Sequence, residues 1–174
     1  MTDTTLTAAL KEAYASAPSG VIIYHTLELR HPAFSVPIRV VRDYVDLTAT
    51  LEATAPANPS TSVTFVAFNF NITKPEISTI GIPQITIELD NVSRDIVANI
   101  EAALGTMDLI QATYREFIST DLTAPQNNPP INMTLISISV DTFKVRATAG
   151  FQDLMNRRFP TTEYDSETFP GLMP

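Results

Sequence analysis

Residues 84–90, QITIELD, set Ile85, Ile87 and Leu89 on one side of the chain and Gln84, Thr86, Glu88 and Asp90 on the other. A period of two is the period of a β-strand, and a chain that repeats it is committed to a sheet with at least one buried face. The pattern recurs. In GVIIYHTLELR, residues 20–30, Val21, Ile23, His25, Leu27 and Leu29 alternate with Ile22, Tyr24, Thr26, Glu28 and Arg30. Near the other end, Phe143, Val145, Ala147, Ala149 and Phe151 alternate with Lys144, Arg146 and Thr148.

The remaining segments fill in the same picture. HPAFSVP leads into IRVVRDY, which predicts a hairpin with a long loop, and LTATLEATA predicts a further strand before the loop PANPSTS. VTFVAFNFNI carries apolar side chains on both faces at 63–70, which predicts burial on both sides or an interface. DLIQATYREFIST fits a helix or a strand by spacing, and the proline-rich break APQNNPP after it favours a strand. INMTLISISVDTFKVRATAGF supplies two more strands joined by a tight turn. Helical spacing occurs twice, over residues 4–17 and over 92–104, the second with Ser93 as N-cap and Gly105 as stop. The expected fold is mainly β (α+β): an antiparallel β-sandwich or barrel of about seven to eight strands with two short helices, formed by residues 1–156. Residues 157–174 fall outside the pattern and are expected to form an extended C-terminal arm.

Composition narrows the chemistry. The chain has 174 residues, 44% of them hydrophobic and only 17% charged, so it can build a sizeable core and shows less charge than an ordinary soluble surface. A formal net charge of −8 argues against a tightly bound nucleic acid and allows one that slides past an acidic wall. The absence of cysteine removes disulfides, thiolate metal sites and cysteine nucleophiles together. No run of 18 apolar residues and no signal-peptide core occur, so a soluble chain made in the cytoplasm is expected.

Catalytic signatures are missing. The five glycines are scattered, and no phosphate-cradling or nucleophile-elbow motif occurs. His25 and His31 lack a partner set for a metal, and His25 reads as a hydrogen-bonded structural residue on the apolar strand face. Glu88 with Asp90, and Asp43 with Asp46, read as solvated carboxylates rather than an acid–base pair. The chain is therefore expected to be no enzyme and to need no cofactor.

Interaction physics is what remains. Arg39 and Arg42 in PIRVVRD stand near Asp43 and Asp46 and are expected to form ion pairs at a sheet edge or between subunits. In the arm, Arg157, Phe159, Pro160, Tyr164, Phe169, Pro170, Gly171 and Leu172 read as spaced anchors for an inter-subunit contact, since aromatic residues are enriched at interfaces and prolines reduce the entropy lost on docking.

Taken together, ALKEAYASAP, VIIYHTLELRHPAF running into PIRVVRDY, YREFISTDLTAP and NRRFPTTEYDSETFPGL resemble a family of tailed-phage minor tail proteins that is described as a domain of unknown function. The resemblance covers nearly the whole chain. It implies a structural subunit of the virion at the tail tip, a distal-tail-like barrel assembled into a homo-oligomeric ring. The ring would be hexameric to continue the tube's symmetry, or trimeric nearer the hub. Its partners would be tail-tube, tape-measure and hub proteins, with DNA only passing through the lumen and no membrane contact. Some related tail-tip proteins hold an iron–sulfur cluster on cysteines, and this chain has no cysteine to do so. The competing expectation is a host-surface carbohydrate-binding β-sandwich, with Tyr24, Tyr44 or the FNFN residues as a stacking platform.

Overall fold

A computed structural model describes residues 6–18, 20–73, 84–90, 94–106, 108–141 and 144–150. The arm anchors from Arg157 to Leu172 and the N-cap expected at Ser93 lie outside the described residues. In chain order the elements are α1 (Ala8–Ser16), β1 (Ile23–Arg30), β2 (Ile38–Val41), β3 (Leu47–Thr50), β4 (Ser62–Ala67), β5 (Phe70–Thr73), β6 (Gln84–Asp90), α2 (Arg94–Leu104), β7 (Gln111–Ile118), β8 (Ile131–Val140) and β9 (Lys144–Gly150).

The nine strands form one sheet in the order β3-β4-β2-β1-β7-β8-β9-β6-β5. All described pairings are antiparallel except that of β2 with β4. Only Phe68 and Asn69 separate β4 from β5, yet β4 pairs with β2 and β5 with β6, far apart in the strand order. The Phe68 amide donates to the Val41 carbonyl at 2.8 Å, and the Asp90 amide donates to the Asn69 carbonyl at 3.1 Å. One bent run of chain thus bonds both flanks of the sheet and curls it into a barrel.

Two cores result. Leu27, Leu29, Val40, Phe70, Ile87 and Tyr114 lie among the inward side chains of the barrel core, and Ile100 and Ala103 of α2 join them. The second core lies on the outer side of β1, β2 and β7, where β3 and β4 fold over as a flap. Val41, Leu47, Ala49, Leu51, Ala55, Phe65 and Phe117 pack there, with the Phe65 and Phe117 rings 6.0 Å apart. The doubly apolar segment at 63–70 is explained by this division: Phe65 fills the outer core, Phe70 fills the barrel, and Val66 stays half exposed.

The flap buries the polar side of β1 as well as the apolar side that its alternation marks. Thr26 and Glu28, on the polar side of its alternation, are completely buried. By contrast β6 follows its sequence pattern: Ile85, Ile87 and Leu89 are buried, while Glu88 and Asp90 pair at the surface with Arg146 and Lys144.

Helix α1 is short because both ends are stopped locally. The Thr7 hydroxyl caps the Leu10 amide at 3.3 Å, and Ala17 takes a left-handed φ of 42° while its amide bonds the Ala13 carbonyl. Leu10 and Ala13 are its buried residues, and Leu6 bridges to Asn127, which fastens the helix to the β7–β8 loop.

Candidate functional site

A cluster of buried charge lies between the barrel wall and the flap. β1 and β7 pair with Glu28 opposite Thr113 and Thr26 opposite Arg115, so Glu28 and Arg115 are diagonal neighbours on the outer face. Both are fully buried. The Arg115 guanidinium takes Glu52 of the flap in a two-point grip, Nε to Oε2 and Nη2 to Oε1, each at 2.8 Å. On the opposite side Glu28 receives Arg39 Nε at 2.8 Å on Oε2 and has Arg30 Nε 3.1 Å from Oε1, with Arg115 Nη1 3.7 Å from Oε2. Arg39 Nη2 continues to Asn58 Oδ1 at 2.8 Å, a second link to the flap.

Three guanidiniums therefore face two carboxylates, which leaves one positive charge in excess. Neither Arg30 Nε nor Arg115 Nη1, both buried, makes a hydrogen bond of good geometry among the described residues. Burial lowers the proton affinity of the Arg30 guanidinium; Glu28 opposes that shift and Arg115 adds to it. Arg30 Nη2 donates to Thr113 Oγ1 at 3.2 Å.

Arg30 also borders an open groove of about 320 Å³, walled by Pro32, Phe34, Pro37, Pro56 and Leu109. His31 forms part of the same rim. Its Nδ1 accepts from the Ala33 amide at 3.0 Å, so Nε2 carries the hydrogen and points to the Asp108 carbonyl and the Thr106 hydroxyl. His31 is thus a pin between the β1–β2 loop and the segment after α2.

At the other end of the barrel a polar network replaces the apolar core. The Tyr114 hydroxyl donates to Glu116 Oε1 at 2.6 Å, which leaves its oxygen to accept from His25 Nδ1 at 2.7 Å. Tyr14 of α1 donates to the same Glu116 oxygen at 3.0 Å. Burial, and then the charge of Glu116 and its hydrogen bond, push both phenols well above the usual range. Asn127 closes the set by accepting from the Glu116 amide and donating to the Tyr114 carbonyl. His25 is hydrogen-bonded in the wall, as its place in the alternation suggests.

The arginines singled out by the sequence part company. Arg39 sits on β2 between β4 and β1, away from any edge of the sheet, and its ion pair goes to Glu28 instead of Asp43 or Asp46. Asp43 and Asp46 spend an oxygen each on backbone amides, those of Tyr44 and Ala67. Arg42 is exposed just beyond β2 and lines an open hollow of about 600 Å³ with Tyr44 and Phe68. Tyr44 on its wall is fully exposed, and its chain neighbour Val45 is 69% exposed. Of the aromatic platform, Phe70 is in the barrel core, Tyr24 packs on the outer core and Phe68 is partly buried against the barrel core, which leaves Tyr44 fully exposed beside Phe68 in the hollow.

Sequence reasoning did not find Glu28, Glu52, Arg30 and Arg115 as a group. The available signal was the presence of Glu28 and Arg30 on one strand and Arg115 on another, each on its strand's polar side. Among the described residues no cluster of histidine, aspartate and glutamate is arranged to hold a metal ion. No described helix is long and apolar enough to cross a membrane.

The described residues thus form a β-barrel with a flap held to its wall by ion pairs around buried Glu28 and Arg115. The chain belongs to the DUF1833 family, a domain of unknown function whose pattern matches residues 9–164. Among curated proteins none matches it.

Proposed function

We propose that the protein is a structural minor tail protein of a tailed phage, a ring-forming subunit that connects tail tube and hub. The observation that carries this reading is the β2–β3 turn, where Tyr44 and Val45 stand exposed and Tyr44 shares a hollow with Arg42 and Phe68. Side chains of that kind, gathered at one place around an arginine, are the composition of an interface core. A sheet curled onto itself and a flap cross-linked by Glu28, Arg39, Arg115 and Glu52 suit a part that bears load without rearranging. The net charge of −8 suits a lumen wall that repels passing DNA. The likeness of the chain to phage minor tail proteins supports a place in the tail tip. On this reading the assembled subunit offers residues 157–174 to its neighbours and performs no catalysis.

The reading is tested by mass spectrometry of purified virions together with native mass spectrometry of the isolated protein. A fixed copy number per particle and a closed oligomer are expected. A stable monomer that is absent from particles overturns it. A second reading, binding of host-surface carbohydrate, draws on Tyr44 alone, whose ring is wholly exposed beside the hollow. A glycan array in which Tyr44→Ala abolishes a signal would favour it.

A further inference from the structure

Residue 150 ends β9, and its position in the sheet locates where the rest of the chain departs. Gly150 pairs with Thr134, Thr134 with Gln111, and Gln111 with Arg30, a row that runs across four neighbouring strands at one rim of the barrel. Three strand spacings separate Gly150 from Arg30, roughly 15 Å. The proline-walled groove opens at that rim beside Arg30. The next eleven residues can extend to about 36 Å, so the chain beyond residue 160 has ample reach to the groove.

The chemistry of the two partners is complementary. Residues 161–174, TTEYDSETFPGLMP, hold Glu163, Asp165 and Glu167 and no lysine or arginine, with Tyr164, Phe169 and Pro170 among them. The groove combines an apolar wall of prolines and Phe34 with Arg30, at the edge of a buried cluster that carries one uncompensated positive charge. Only Nη2 of the Arg30 guanidinium makes a hydrogen bond among the described residues. Such a site fits an acidic strand with aromatic and proline anchors.

We propose that in the single subunit this groove is the seat of the chain's own C-terminal segment, residues 161–174. The tether places the segment at an effective concentration far above that of any free competitor. This inference concerns the isolated subunit and stands apart from the ring assignment, so either can fail without the other.

The chain has no cysteine, so a pair introduced into the full-length protein reports one proximity only. Ala57→Cys in the groove with Ser166→Cys in the segment is oxidised mildly and followed on non-reducing gels. The control pair is Thr120→Cys with Ser166→Cys, because Thr120 follows the opposite end of β7. The groove pair should close within one chain at least about ten times faster than the control. Lysine at Glu163, Asp165 and Glu167 together should remove most of that advantage, as should 1 M salt. Leu109→Cys, at an exposed position on the groove wall, replaces Ala57→Cys if that variant does not fold. Equal rates for the two pairs, indifference to the charge reversal, or disulfide-linked dimers as the main product would each overturn the proposal.

Discussion

Arg115 on the barrel wall and Glu52 in the flap, 63 residues apart in sequence, meet through two parallel hydrogen bonds of 2.8 Å each. Behind this pair Glu28 holds Arg39 and Arg30, so the flap is tied to the wall through a cluster whose centre, Glu28 with Arg115, is fully buried and whose outer members are partly exposed. Removing one member of a buried ion pair leaves the other uncompensated, a loss of roughly 3–5 kcal/mol. Glu28→Ala is expected to lower stability by about that amount in urea denaturation followed by circular dichroism, since it leaves three guanidiniums facing one carboxylate.

Phe65 tests whether the flap is a separate layer. It is fully buried, with Phe117 across the outer core and no part in the barrel core. Phe65→Ala should cost about 3–5 kcal/mol. In hydrogen exchange the loss of protection should concentrate in β3 and β4, with β9 changed much less; uniform loss would mean that the two cores unfold as one.

The tyrosines set an alkaline limit. Tyr14 and Tyr114 have folded-state pKa values above the ordinary 10.0. A raised value contributes stability that is complete below the unfolded pKa and is lost as pH climbs toward the folded one. Stability should therefore begin to fall near pH 10 and continue downward above it. In an absorbance titration at 295 nm, buried Tyr114 should ionise only as the protein unfolds, half-exposed Tyr14 should ionise later than an ordinary phenol, and Tyr114→Phe should lessen the slope.

The rim around Tyr44 separates assembly from folding. Tyr44 and Val45 are exposed, so Tyr44→Asp with Val45→Asp should leave stability within about 0.5 kcal/mol per site. If the rim is a subunit contact, the same variant should shift native mass spectra from oligomer to monomer. An unchanged oligomer would assign the contact elsewhere.

A methyl group at Gly150 would meet Ile136 Cδ1 at 2.6 Å. Ile136 lies at the register shift in β8 between Leu135 and Ser137 and is 59% exposed, so the end of its side chain can swing outward. Gly150→Ala should accordingly change stability by less than about 1 kcal/mol, the gain from a stiffer unfolded chain offsetting the displacement.

Local periodicity made most strands readable. Ile85, Ile87 and Leu89 point inward because each needs only the pleat of its own strand to be placed. The same rule misreads Thr26 and Glu28, since what buries them is a flap brought over by the parallel pairing of β2 with β4, a contact that no local pattern encodes. Arg39 shows the limit from the side of the site. Its need for a carboxylate is legible in the sequence, but Asp43 and Asp46 are nearer along the chain and Glu28 is nearer in space. The apolar doubling at 63–70 announced two buried faces without saying that they belong to two different cores.

Strand β9 is the last described in the chain and lies between β6 and β8. Until it emerges during synthesis, β6 and β8 each hold out a row of unpaired amides and carbonyls, and the wall of the barrel has a gap one strand wide. The first 140 residues can make hairpins and the flap, but closure waits on the keystone. A nascent chain of this design is exposed to edge-to-edge association from the completion of β6 onward, and the seven residues from Lys144 to Gly150 cover both edges in one step.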